Sequence, residues 1–311
     1  MDKKKQIGKL IQPIADDLLS GAAEIALRAI TVYQAAIELE PSADLQTLKA
    51  DLAYTARTLV DAQPAMAPLF HLSNQVLFAT QKAQNPQEFK KVCQKALDDF
   101  EKNLCDSAAK IAELVYDLIP PGEMVFAYSF SSTVVSCLLH ARARGRYFRV
   151  ACSESRPSME GRKLATRLAA GGIEVIHSFD SSMGLILPSC SVALMGCDCV
   201  GAPGLVNKVG SLLLALACGE LDIPLYALCG TEKFVADERL FEFENHERPG
   251  EEVWEDPPRG IKVLNRQFEL IPFKHLSGLV TDAGILQEAD LAKYLSQTPV
   301  HEALRLEPAS F

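Results

Sequence analysis

The hydrophobic period of this chain changes at Pro120-Pro-Gly122. Before that point, from about Asp16 to Ile119, apolar residues recur at helical spacing. Leu18, Leu19, Ala22, Ile25, Ala26, Ala29, Ile30 and Tyr33 mark one face of a first helix. Glu40-Pro-Ser-Ala-Asp44 breaks that pattern. A second helix is expected from about Leu45 to Val60, ending ahead of Gln63-Pro64 because the residue before a proline avoids the α region. A third starts near Pro68, and a fourth spans roughly Glu88 to Leu118.

After the Pro-Pro-Gly turn, short apolar runs alternate with helical segments. The strand candidates are Met124–Ser129, Phe148–Ser153, Glu174–Ser178, Val192–Gly196, Pro224–Cys229 and Leu279–Thr281. Helices are expected near Ser132–Arg144, Glu160–Ala170, Val209–Leu221 and Glu288–Gln297. That alternation predicts a parallel sheet with crossover helices. The expected architecture is therefore α/β: a helical N-terminal domain over 1–119 and a Rossmann-like parallel-sheet C-terminal domain over 120–311. Phe241–Arg259 crowds seven acidic residues together with Pro249-Gly250 and Pro257-Pro258 and reads as a solvated acidic loop, or a functional lid or partner-binding loop.

Charge narrows the partners. The net charge of −9 gives a global field that disfavours a nucleic-acid backbone, but a local basic pocket can still hold a small anion. Nine cysteines, an odd number, sit mostly in apolar runs and read as reduced thiols in a cytoplasmic setting. No apolar stretch is long enough to suggest a membrane span or a secretion signal.

In an open parallel sheet, ligands sit beyond the carboxyl ends of the strands. After the first strand, Ser129-Phe-Ser-Ser-Thr133 opens a helix. Ser131, Ser132 and Thr133 can line an anion site there or simply cap the helix. After the second strand come Glu154 and Arg156, followed by Glu160-Gly-Arg162. Glu154 and Arg156 can hydrogen-bond ligand hydroxyls, or pair with each other or with Arg162 across the turn. After the fourth strand, Asp198 precedes a glycine-bearing loop that ends in Asn207-Lys208. Lys208 suits a phosphate, Asn207 a sugar hydroxyl, and a desolvated Asp198 a proton transfer. Lys233 follows the fifth strand as a second phosphate partner or a solvated lysine. Cys197 and Cys199 lack a second Cys/His pair at metal-site spacing, so no metal and no cofactor is expected.

These segments, in this order, resemble the superfamily that joins the translation initiation factor 2B alpha, beta and delta subunits to methylthioribose-1-phosphate isomerase and ribose-1,5-bisphosphate isomerase. The resemblance is carried by Ser20-Gly-Ala-Ala-Glu-Ile25, Ala62-Gln-Pro-Ala-Met66, Glu154-Ser-Arg-Pro157, Glu160-Gly-Arg-Lys-Leu164, Gly196-Cys-Asp198, Val206-Asn-Lys-Val-Gly210, Glu232-Lys-Phe234, Asn265-Arg-Gln-Phe-Glu269 and Thr281-Asp-Ala-Gly284. It implies a phosphorylated sugar or nucleotide held between the two domains, and a homodimer or higher homo-oligomer formed through the C-terminal one. It adds Ser20, Gly21 and Gln63 to the ligand-binding set. The isomerases of the superfamily carry a catalytic cysteine where this chain has Ser129, and arginines where it has Ser20 and Gln63. A hydroxyl ionises far above a thiol, and neither Ser nor Gln grips phosphate as a guanidinium does. The pattern leans toward initiation-factor-like binding without turnover. The alternative is an aldose–ketose isomerase of a phosphorylated pentose, with Asp198 and Ser129 as its catalytic pair.

Overall fold

The structure is a computed structural model that describes residues 3–17, 20–39, 43–64, 66–235, 247–295 and 299–305. Packing divides the chain into two compact units, residues 1–105 with 298–311 and residues 106–297.

The first unit is helical. It holds α1 (Lys3–Ala15), α2 (Ala22–Glu38), α3 (Leu45–Ala62), α4 (Ala67–Thr80) and the first part of α5 (Pro86–Leu118). The α1 helix is not legible in the basic N-terminal sequence, yet Ile7, Ile11 and Ile14 bury its apolar face. Leu18 and Leu19 lie outside the described residues, and α2 starts at Ala22, after Gly21. Asp44 caps α3 by accepting the Thr47 N–H at 2.9 Å. Ile25, Tyr33, Leu59, Leu69 and Leu72 fill the core, where Tyr33 donates its buried hydroxyl to Ser73 Oγ at 2.7 Å.

The C-terminal segment 299–305 also belongs to this unit. Asn74 Nδ2 donates to the Pro299 carbonyl at 2.9 Å and its Oδ1 accepts the His301 N–H at 2.8 Å. Arg57 Nε donates to the Ala303 carbonyl at 2.5 Å. A single domain over 120–311 does not anticipate this return. The expected boundary at 119/120 also differs from the packing boundary. It marks the end of α5, but Ile111, Ala112, Val115 and Ile119 of that helix already pack in the second unit's core.

The second unit is the expected α/β fold. Its strands are β1 (Met124–Tyr128), β2 (Arg149–Ser153), β3 (Glu174–Ser178), β4 (Val192–Met195), β5 (Cys199–Gly201), β6 (Gly204–Lys208), β7 (Leu225–Leu228), β8 (Phe268–Ile271), β9 (Gly278–Thr281) and β10 (Gly284–Leu286). Seven of them form one sheet in the order β10-β9-β7-β4-β1-β2-β3. All its pairings are parallel except β9 with β10. Between the strands lie α6 (Ser132–Ala143), α7 (Glu160–Ala170), the short α8 (Met183–Ile186) and α9 (Ser211–Glu220), and Glu288–Leu295 forms a last helix.

Strand alternation separates two cores on the two faces. Met124, Phe126 and Tyr128 of β1 join Met195, Leu214 and Cys218. Val125 and Ala127 join Val150, Leu138 and Leu164. The order reverses between β1 and β4, which is the switch point where such sheets open a crevice.

A second, three-stranded antiparallel sheet, β5-β6-β8, corrects the expected glycine-bearing loop. Asn207 and Lys208 sit on strand β6, opposite Glu269 and Phe268 of β8. Gly204 permits the pairing, because a β-carbon there would lie 2.4 Å from the Ile271 carbonyl oxygen. Three-residue strands are too short for a visible period, and the closing strand comes some sixty residues later in the chain. Among the described residues no helix is long and apolar enough to cross a membrane.

Candidate functional site

The site is built from the residues that follow β1, β2, β4 and β7. Ser129 leaves β1 with φ +60°, a left-handed conformation that serines rarely adopt. Its buried hydroxyl donates to Glu160 Oε2 at 2.5 Å. Glu160 reaches this position because α7 starts hard against β2. A β-carbon at Gly161 would lie 1.6 Å from the Ser153 carbonyl oxygen, so only glycine allows the approach.

The other carboxylate oxygen of Glu160 meets Lys208. Lys208 is 3% exposed, and its ammonium donates to Ser158 Oγ at 2.6 Å, to Gln267 Oε1 at 2.5 Å and to Glu160 Oε1 at 3.1 Å. All three of its N–H donors therefore have partners. Lys208 thus connects β6 to the loop after β1 through one carboxylate.

Asp198 follows β4. Its backbone N–H donates to the Val206 carbonyl at 2.9 Å, which ties the loop to β6. Its half-buried carboxylate accepts no hydrogen bond from the described residues. Burial pushes its pKa up to about 6, against the pull of Lys233 and Lys208 and with the push of Glu160. Lys233 is buried and donates to the Cys197 carbonyl. Burial opposes its charge, but Asp198, Cys197, Cys229 and Glu232 together hold its pKa above the ordinary value.

The remaining expected residues are placed as follows. Asn207 Nδ2 donates to Ser211 Oγ at 2.8 Å, at the start of α9. Ser131 caps α6, its Oγ accepting the Val134 N–H at 3.4 Å, and Ser132 and Thr133 form the first helical positions. A β-carbon at Gly196 would lie 2.7 Å from Ser131 Cβ, so the loop carrying Asp198 runs directly past that helix start. Of the alternatives open for Glu154, the structure realises the pair with Arg162, at 2.5 Å. Arg156 is exposed, and its guanidinium donates to the Val253 carbonyl at 3.3 Å.

Ser20, Gly21 and Gln63 belong to the helical unit. There the Gln63 amide donates to the carbonyls of Ile14 and Asp17, both at 2.9 Å, and the Ser20 N–H donates to Asp17 Oδ1 at 2.9 Å. Gln63 holds the end of α1 and the residues after it.

Four participants were not anticipated as site residues: Glu160, Ser158, Gln267 and Glu252. The Gln267 amide donates to Asn265 Oδ1 at 2.9 Å and to Glu252 Oε2 at 3.4 Å. Glu252 also accepts from Asn265 at 2.9 Å and pairs with Arg248 at 2.6 Å. The Arg248 bond, helped by Asn265 and Lys208, holds the Glu252 carboxyl below its usual range. Glu269 accepts the N–H groups of Gly210 and Leu212 at 2.7 and 2.8 Å, capping α9.

A signal existed in the sequence, since Asn265, Gln267 and Glu269 are spaced by two, as on one face of a strand. The acidic stretch is exposed over residues 251–256, as a solvated loop should be, and Glu252 adds a tie to the site. Residues 241–246 lie outside the described residues, but from Glu247 the chain is tied back by Glu252 to the network around Lys208. Among the described residues no group of three or more His, Cys, Asp or Glu side chains is arranged to hold a metal ion.

A helical N-terminal unit followed by a mostly parallel sheet, with two buried lysines and a half-buried carboxyl of raised pKa near the strand ends, defines a mixed α/β protein with a polar cluster near its switch point. The sequence model of the Initiation factor 2 subunit family matches residues 18–288, and the chain belongs to that family. It is 29% identical over 283 residues to a putative translation initiation factor eIF-2B subunit 2-like protein of Pyrococcus furiosus, covering 91% of this chain and 96% of that one. It is also 29% identical over 232 residues to the ribose 1,5-bisphosphate isomerase of Methanocaldococcus jannaschii, covering 73% and 74%. The crystal structure of Pyrococcus horikoshii translation initiation factor eIF-2B superposes with a TM-score of 0.76 at 27% identity, covering 90% of this chain and 96% of that one.

Proposed function

We propose that this protein is an initiation factor 2B-like regulatory protein. On this reading it binds a phosphorylated sugar or nucleotide at the mouth of its parallel sheet and does not turn it over. The observation that carries the reading is Asp198. Its half-buried carboxyl has no hydrogen-bond partner among the described residues, while two buried lysines set the local field. A ligand hydroxyl satisfies the carboxyl, and the lysines balance the phosphate charge. Absence of turnover follows from Ser129. It stands where the isomerases of the superfamily carry a thiol, and the carboxylate that accepts its hydrogen bond, Glu160, is itself taken up by Lys208.

The second reading is an aldose–ketose isomerase of a phosphorylated pentose, favoured by the Asp198 pKa near 6, within the range of a working acid–base group. Calorimetry with ribose 5-phosphate and adenosine 5′-monophosphate tests binding. Conversion of ribose 1,5-bisphosphate by the wild type and by Asp198→Asn tests turnover. Binding without conversion supports the first reading, and conversion abolished by Asp198→Asn replaces it with the second.

We also infer a homodimer or larger homo-oligomer formed through the C-terminal unit. The α9 helix is apolar on all sides, yet Leu213 is 62% and Leu216 49% exposed. A helix apolar all round is normally covered. The net charge of −9 argues against nucleic acid or an anionic membrane surface as a direct partner. Nine free cysteines, eight of them buried, fit a reducing cytoplasmic setting.

A further inference from the structure

We infer that Glu160 sets the charge of the ligand this site accepts, and that it selects a singly phosphorylated or neutral polyhydroxylated molecule over a bisphosphate. The inference rests on the ligand-binding reading above. Lys208 has three N–H donors, and Ser158, Gln267 and Glu160 take all of them. An incoming anion reaches Lys208 only by displacing one acceptor. Ser158 and Gln267 are neutral, hold Lys208 at 2.6 and 2.5 Å, and hydrogen-bond each other at 2.9 Å. Glu160 is the anionic acceptor and the most distant, at 3.1 Å, and it keeps the Ser129 hydroxyl as a partner when it lets go. A ligand phosphate therefore competes with a carboxylate that the fold already holds in place.

Charge counting points the same way. Lys208 and Lys233 already face Glu160 and Asp198, with Glu232 beside Lys233 and Glu252 beyond Gln267. A bisphosphate brings several more negative charges into this largely buried cluster, whereas one phosphate can be met by a single exchange at Lys208. Replacing Glu160 by glutamine leaves an acceptor of the same shape and removes the competing charge.

The test is a binding comparison by calorimetry, with ribose 5-phosphate and ribulose 1,5-bisphosphate as probes and thermal melting as the check on folding. Wild type should bind the monophosphate more tightly than the bisphosphate. Glu160→Gln should shift the bisphosphate-to-monophosphate affinity ratio by about tenfold or more toward the bisphosphate, the scale of one charge-assisted contact. Glu160→Asp keeps the charge and should leave the ratio within about twofold of wild type. If Glu160→Gln does not fold, Gln267→Glu serves instead. It adds a second carboxylate at Lys208 and should move the ratio the opposite way.

An unchanged ratio in Glu160→Gln, or a shift toward the monophosphate, overturns the inference while leaving ligand binding intact. So does a Gln267→Glu ratio that stays put. No binding of either probe to wild type and Glu160→Gln overturns the ligand-binding reading itself, and this inference with it.

Discussion

Replacing Lys208 by methionine keeps the length of the side chain and removes the ammonium that Glu160, Ser158 and Gln267 all face. Breaking a buried ion pair by deleting one partner costs about 3–5 kcal/mol, because the remaining charge is left unpaired. Two features place this pair at the low end. Glu160 keeps the Ser129 hydroxyl, and its side chain is 18% exposed, so water reaches part of it. Ser158 and Gln267 keep their mutual hydrogen bond. The expected loss is about 3 kcal/mol, or roughly 6–12 °C in melting temperature for a domain of this size. Scanning calorimetry with urea unfolding measures it. Lys208→Met combined with Glu160→Gln removes both charges and should recover at least about 1 kcal/mol of that loss, since residues in contact do not add. A single variant that melts within about 2 °C of wild type, or a double variant that is merely additive, would show that Lys208 is solvated rather than paired.

Three further outcomes are expected. The raised pKa of Asp198 means that the native state binds a proton more tightly than the unfolded chain. Its contribution is full below the ordinary value of 3.8 and is lost as the pH rises through about 6. Asp198→Asn should therefore flatten the fall in stability between those pH values, measured by urea unfolding across that range. Gly161→Ala drives a β-carbon into the Ser153 carbonyl and should destabilise the fold by at least about 2 kcal/mol, as read by chemical denaturation. Ser129→Cys should not create robust isomerisation of ribose 1,5-bisphosphate in a coupled assay, because Glu160 still holds that side chain and Ser20 and Gln63 are still not arginines. Strong turnover from that one change would refute the role given to the missing guanidinium groups.

The main sheet was legible because its interior strands are short, apolar and separated by helical segments. Glu174–Ser178 and Glu160–Ala170 fall where the pattern placed them, and other elements differ by one or two residues at their ends. The small antiparallel sheet was not legible. Its strands are three to five residues long, and β6 finds β8 only across a long excursion.

Asp198, Lys208 and Lys233 stood out because each follows an apolar strand. Glu160 did not, since at the start of a helix an acidic residue has an ordinary explanation in the helix dipole. Only the close approach at Gly161 turns that first-turn glutamate toward Ser129 and Lys208. Gln63 shows the opposite case. The family resemblance put it in the ligand-binding set, yet its amide donates to the carbonyls of Ile14 and Asp17.

The placement of residues 299–305 against α3 and α4 bears on how the protein is made. Residues 106–297 are contiguous, so that unit has all its parts before residues 299–305 are made. The helical bundle, begun first, is completed only when Pro299, His301 and Ala303 leave the ribosome and meet Asn74 and Arg57. Synthesis at about 5–20 residues per second normally lets the amino-terminal part settle first. Here the order of completion is inverted, and the nascent helices wait until residues 299–305 have been made.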